Sequence, residues 1–122
     1  MGGCGKFFEG TAAEMYPSLY EKIGDLPDDT LLWPGHEYTV SNLTFAARVE
    51  PTNTAVQTKL AWAQQRRAEK AFTVPSTVGE EKQHNVFLRC NCLSLRVACS
   101  LDEDASPIDC LAALRELKNS GK

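Results

Sequence analysis

Apolar positions along this chain recur mostly at helical spacing. Met15, Leu19 and Ile23 fall every fourth residue behind Thr11-Ala-Ala-Glu14, a capping box in which a hydroxyl and a carboxylate satisfy orphan backbone donors. The pattern predicts a first helix from Thr11 to about Ile23, closed by Gly24 as the left-handed residue after its end. Pro17 lies inside it and predicts a kink or a late start, because its ring removes one hydrogen bond and crowds the preceding turn. A short buried strand is expected at Thr30-Leu31-Leu32-Trp33, between the Leu26-Pro27-Asp28-Asp29 turn and Pro34-Gly35. The remainder reads as helical.

One helix is predicted from Ser41 to Val49, stopping before Pro51. A longer one starts at Asn53 or Thr54, where Thr54-Ala-Val-Gln57 is a second capping box, and runs to about Ala71 with Val56, Leu60 and Ala63 on one stripe. Thr77-Val-Gly-Glu80 opens a short helix that Gly79 weakens by about 1 kcal/mol relative to Ala. The last helix is marked by Ser106-Pro107-Ile108-Asp109, which places a cap, a proline at the first helical position and an acid in the first turn. Residues 84–101 fit neither period. The one internal boundary falls near Tyr38, where strand gives way to helices.

A chain of 122 residues has room for one domain, with two small lobes at most. Its 43% hydrophobic and 24% charged residues place it in the ordinary globular range. Thirteen Lys and Arg against sixteen Asp and Glu leave a net charge of −3, so the chain has no global attraction for nucleic acid or anionic membrane. Apolar runs stop at three or four residues, far short of the roughly 18 a spanning helix needs. Gly2 and Cys4 invite a lipid-anchor reading, but Lys6 stands where the usual signal wants Ser or Thr. No secretory signal with an apolar centre is seen, which favours an intracellular protein with reduced thiols.

The five cysteines fit that expectation. Cys90, Cys92 and Cys99 with His84 would total four zinc donors, yet a Cys-x-Cys pair with a distant third sulfur departs from structural zinc spacing. Scattered thiols are the simpler reading. Catalytic motifs are equally scarce, with no Gly-x-Ser-x-Gly elbow, P-loop, dinucleotide fingerprint or His-Glu-x-x-His helix. His36 and His84 are the only histidines, which excludes a site of three imidazoles and leaves a Cys-His84 nucleophile pair open. His36 follows the predicted strand on a Pro-Gly turn, a position from which a side chain projects into a cleft. Lys6, Arg115 and Lys118 would together grip an anionic ligand, although Arg and Lys in a last helical turn also simply complement the helix dipole.

Longer segments change these odds. Gly3-Cys4-Gly5-Lys6-Phe7-Phe8-Glu9-Gly10-Thr11, Trp33-Pro34-Gly35-His36-Glu37-Tyr38-Thr39, Asn42-Leu43-x-Phe45-Ala46, Val49-Glu50-Pro51, Lys59-Leu60-Ala61-Trp62-Ala63 and Thr73-Val74-Pro75-Ser76-Thr77 resemble the hydroxyacylglutathione hydrolase (glyoxalase II) family. Within it the resemblance is nearest to the hydroxyacylglutathione hydrolase-like branch. It is close from Gly3 to Ser76 and looser from Asn85 to Lys118, and it covers the C-terminal portion of the family only.

The resemblance implies a mainly α chain with a short strand segment, in which residues 1–38 are the terminal fragment of a metallo-β-lactamase sandwich. Residues 39–122 would then be the helical, glutathione-binding C-terminal domain. It implies a metal-dependent thioester hydrolase acting on S-acylglutathione, S-lactoylglutathione included, with two divalent metals, zinc or iron, in the complete site. His36 matches the family's last metal-binding histidine. Lys6, Tyr38, Arg115 and Lys118 match residues that contact the glutathione portion, and Phe8 matches a position where members carry Tyr, so a hydroxyl is lost there. Residues 86–103 depart from the family, including Val86 where Asn-Pro is usual. The other metal ligands lie upstream of residue 1 in the family pattern, so this chain alone is expected to hold no metal stably and to be inactive. The alternative is a non-catalytic module that binds glutathione or a protein partner, with association through the exposed strand near Leu31–Trp33. The cytoplasm is the default compartment, a mitochondrial address not being excluded.

Overall fold

The fold is described from a computed structural model covering residues 1–121. Six α-helices and one two-stranded sheet make it a mainly α structure among the described residues: α1 (Ala12–Tyr16), β1 (Leu31–Leu32), α2 (Thr39–Val49), α3 (Thr54–Ala68), β2 (Ser76–Thr77), α4 (Val78–His84), α5 (Leu93–Ala98) and α6 (Pro107–Asn119). Helices α2 and α3 pack as an antiparallel-style hairpin around Pro51, and α1 packs on α6. Phe45, Val56, Val86, Phe87, Leu95, Leu111 and Leu114 form one buried core between them.

The first helix is kinked, as Pro17 predicts, but by a specific route. Thr11 caps it by accepting from the Glu14 amide at 3.3 Å, while the Glu14 carboxylate accepts only the Thr11 hydroxyl. After Tyr16 the winding widens into a π-helix over Pro17–Ile23, closed by the Gly24 amide donating to the Leu19 carbonyl at 2.7 Å. Gly24 is not left-handed, since its φ is −62°. A Cβ there would lie 2.7 Å from the Tyr20 carbonyl oxygen, so close approach and not a positive φ makes the glycine necessary. The wide turn presents Tyr20 to the core side. Its hydroxyl donates to the Phe87 carbonyl (2.9 Å) and accepts from the Cys90 amide (2.8 Å), tying residues 86–90 to the first helix.

The expected buried strand is corrected on both counts. It is two residues long, pairing antiparallel with β2 in the register Leu31 to Thr77 and Leu32 to Ser76, and Leu31 is 55% exposed. A two-residue ribbon has little surface on which a second layer can pack, so Leu31 stays in solvent and Leu32 is only half-buried. Helix α2 starts two residues earlier than its apolar pattern suggests. Helix α3 is capped by Asn53, whose side-chain oxygen accepts from the Ala55 and Val56 amides at 3.0 and 3.3 Å, and not by Thr54. The boxes at Thr77–Glu80 and Ser106–Asp109 close in both directions. The unreadable stretch contains a 3₁₀ turn (Val86–Leu88) and the six-residue α5, both too short to display a period.

Glu50 joins the α2–α3 corner to that stretch. It is 5% exposed and binds Arg89 through two bonds of 3.0 and 3.1 Å, accepts from Ser94 at 3.0 Å and from Asn53 at 3.1 Å. Burial would raise its carboxyl pKa, but the bonds from Arg89, Asn53 and Ser94 prevail and hold it below the ordinary range. His84 is the contrasting case. It is 3% exposed, neither ring nitrogen has a hydrogen-bond partner among the described residues, and Nδ1 lies 3.3 Å from the Glu81 carboxylate. Burial lowers its pKa against the opposing pull of Glu81, with Lys59 adding to the lowering. All five cysteines are free thiols, Cys90 and Cys110 buried, and among the described residues no three His, Cys, Asp or Glu side chains are placed to hold a metal ion.

Two outcomes follow for stability. Glu50→Ala leaves the Arg89 guanidinium half-buried without its partner, and a loss of about 3 kcal/mol is expected in urea unfolding; a change under 1 kcal/mol would remove the corner from its central role. For His84 the unfolded chain takes up a proton near pH 6.5 and the folded chain only at lower pH. Its contribution is therefore complete above about pH 6.5 and declines as the pH falls below it. Unfolding midpoints measured between pH 8 and 5 should show that decline, and His84→Leu should flatten it.

Candidate functional site

Residues 1–6 run without regular structure across α2, α4 and α6, and side chains satisfy their backbone. Asn42 donates to the Met1 carbonyl (2.9 Å), the Gly2 amide donates to Glu81 (3.0 Å), Asn85 donates to the Gly3 carbonyl (3.0 Å) and Arg115 donates to the Cys4 carbonyl (2.8 Å). Glycine is required twice. Gly2 has φ +72°, and a Cβ on Gly3 would sit 2.7 Å from the Asn42 amide group. Gly2 is buried, which is a packing role that the lipid-anchor reading of the same residues does not need.

A second anchored segment faces this one. The Thr73 amide donates to Glu37 Oε1 at 2.6 Å, and the Thr73 hydroxyl reaches both carboxylate oxygens at 2.8 and 2.7 Å. The Thr39 and Thr73 hydroxyls lie 2.6 Å apart; with the Thr73 proton committed to the carboxylate, Thr39 is the donor between them. Burial pushes the Glu37 pKa up, but the two Thr73 bonds and the Arg67 charge outweigh it and the net shift is downward. Glu37 points inward to this anchor, so its neighbours His36 and Tyr38 point outward. Their rings stack, with centroids 5.0 Å apart and an interplanar angle of 11°.

Between the two segments lies a cavity of about 760 Å³. Lys6, Phe8, His36, Tyr38, Arg115 and Lys118 all line it, so the six residues matched by the resemblance reach one concavity, whereas His84, Cys90, Cys92 and Cys99 do not. Their surroundings differ. Phe8 is 88% exposed and Tyr38 59%, whereas Arg115 is 4% exposed. The Arg115 guanidinium is also structural: besides Cys4 it donates to Asn119 at 2.9 Å and lies 5.3 Å from the Phe87 ring centroid. Helix-dipole complementation is therefore a poor account of this residue, which works through named partners. Lys118 Nζ lies 5.3 Å from the Phe45 centroid, and its pKa is lowered by burial first and then by Arg115 and Arg48.

Cys4, Ser41 and Asn42 also line the cavity and were not apparent from periodicity. Burial pushes the Cys4 thiol up to about 11 despite the Arg115 charge beside it, so this sulfur stays protonated near neutral pH. The arrangement can hold an anionic, partly apolar ligand between cations and stacked aromatic rings. A metal is a different matter. His36 contributes one exposed imidazole, and the residues present do not supply the set of about three protein ligands a catalytic zinc site takes.

Comparison with known proteins covers the chain fully. The family model described as "Hydroxyacylglutathione hydrolase C-terminus" matches residues 37–121. The chain is 48% identical over 122 residues to "Hydroxyacylglutathione hydrolase-like protein" of Gallus gallus, covering 100% of this chain and 42% of that protein. It is 46% identical over 119 residues to "Hydroxyacylglutathione hydrolase cytoplasmic" of Arabidopsis thaliana, covering 96% of this chain and 44% of that one. The chain thus spans less than half the length of these curated relatives.

The Glu37 anchor yields a direct check. Thr73→Val removes the hydroxyl that reaches both carboxylate oxygens, so the Glu37 carboxyl should titrate closer to its ordinary 4.5 in a carbon-13 NMR titration. An unchanged titration would mean that Thr73 does not set the loop.

Proposed function

From the membership of this chain in the hydroxyacylglutathione hydrolase family, to which its match over residues 37–121 and its identity with two such proteins assign it, we propose that it forms the glutathione-recognition part of a metal-dependent S-acylglutathione thioester hydrolase. On this reading the chain alone does not turn over S-lactoylglutathione. Residues 1–38 are the end of the metal-bearing sandwich and residues 39–122 the helical recognition domain. The observation that carries the reading is the convergence of Lys6, Tyr38, Arg115 and Lys118 on one cavity beside His36.

Each residue has a chemical task. Glutathione carries two carboxylates, and Lys6, Arg115 and Lys118 supply point charges and a planar guanidinium to meet them. Arg115 is held by Cys4 and Asn119, so its orientation is set before ligand arrives. The Tyr38 phenol offers a donor at the rim, while Phe8 offers apolar surface without a hydroxyl. In the complete enzyme two divalent ions, zinc or iron, would generate the attacking hydroxide and polarise the thioester carbonyl. His36 brings a single donor toward them, and the residues present do not make that centre. The exposed Leu31–Trp33 edge, with Trp33 67% exposed, is the surface on which a further part of such a hydrolase would associate. Cytoplasmic residence accords with the name of the Arabidopsis relative and is part of this proposal.

The test pairs binding with turnover. Purified chain should show saturable glutathione-dependent NMR shifts at Tyr38 and near Lys118, weakened about fivefold by Lys118→Ala. It should release no thiol from S-lactoylglutathione above buffer, with or without added zinc or iron. Hydrolysis that disappears in His36→Ala would overturn the inactive-alone reading, and absence of any glutathione response would overturn the recognition reading.

A further inference from the structure

Ser41, Phe45 and Arg48 follow one another at four- and three-residue steps along α2 and so lie on one face of that helix. Ser41 lines the cavity beside Asn42, and Arg48 continues the row beyond its rim. The Arg48 guanidinium carbon lies 5.7 Å from the Phe45 ring centroid, and Lys118 Nζ lies 5.3 Å from the same centroid, so the two cations share one ring. Arg48 is exposed, and neither it nor Lys6, Arg115 or Lys118 takes part in a salt bridge among the described residues. Four cations are thus gathered around Lys118, in a protein whose net charge is −3, with no carboxylate in a salt bridge to any of them among the described residues.

We propose that Arg48 is a further specificity-determining residue, which extends the cavity along α2 and holds one carboxylate of a dianionic ligand of the glutathione class. Unpaired like charges in one place are unfavourable for the folded chain and become favourable when an anion bridges them. Lys118 registers that repulsion, since Arg115, Arg48 and Lys6 all oppose its protonated form once burial has done so. One anionic group cannot be shared efficiently by cations spread over the α2 and α6 faces and the N-terminal segment. A ligand with two separated carboxylates can, one toward Arg115 and Lys118 and the other toward Arg48.

This inference rests on the glutathione-recognition reading, and its test separates the two. Dissociation constants of the full chain for glutathione and for its diethyl ester, in which both carboxylates are capped, are measured by NMR titration. Arg48→Ala should weaken glutathione about fivefold and leave the diethyl ester unchanged, the effect of losing one solvent-facing charge pair. Arg48→Lys should recover most of the loss, and Lys22→Ala, which changes net charge on the first helix, should have no effect. If Arg48→Ala leaves glutathione binding unaltered, or weakens glutathione and diester equally, the assignment of Arg48 is wrong while the cavity reading stands. If the unsubstituted chain does not bind glutathione, both fall together.

Discussion

The structure depends on the way the first residues are held. An extended segment outside a sheet has backbone donors and acceptors that nothing in its own conformation satisfies. Here Asn42, Glu81, Asn85 and Arg115 satisfy them one residue at a time, from three different helices and the link after one of them. Because each clamp lies on a separate element, the segment can only be seated once α2, α4 and α6 are mutually placed. The cavity wall is therefore a product of tertiary assembly, and the two glycines at positions 2 and 3 are the condition for the backbone to come close enough.

The opposite wall uses the same device with the roles exchanged. There a side chain of the loop, Glu37, is held by the backbone and hydroxyl of Thr73, and the alternation of the chain turns His36 and Tyr38 to the outside. Both walls are thus fixed by buried polar contacts while Lys6, His36 and Tyr38 stay accessible at the cavity. Such a division suits recognition of a charged ligand, since the cations need not be reorganised to meet it.

Legibility in the sequence follows the range of the interaction. The boxes at Thr77–Glu80 and Ser106–Asp109 close within four residues and are readable as they stand. Pro17 announces an irregularity but not its form, because the π-helix is settled by Tyr20 reaching Phe87 and Cys90, some seventy positions away in sequence. The β1 strand was misjudged as buried since apolar composition does not reveal whether a second layer exists to cover it. Residues 84–101 hold elements too short for a period to develop. Spacing alone also cannot bring Cys4 to Arg115, separated by 111 positions, and the resemblance of whole segments to a known family groups Lys6, not Cys4, with Arg115.

Phe45 and Phe87 stack at 6.1 Å inside the core, and a cation of the cavity wall lies over each, Lys118 over the first and Arg115 over the second, with Arg48 also over Phe45. The two rings therefore belong to the hydrophobic interior and to the support of the cavity wall at once. Evolution cannot adjust one without disturbing the other: a repacking that shifts either ring relocates the charges above it, so affinity and thermostability in this molecule are bound to drift as a pair.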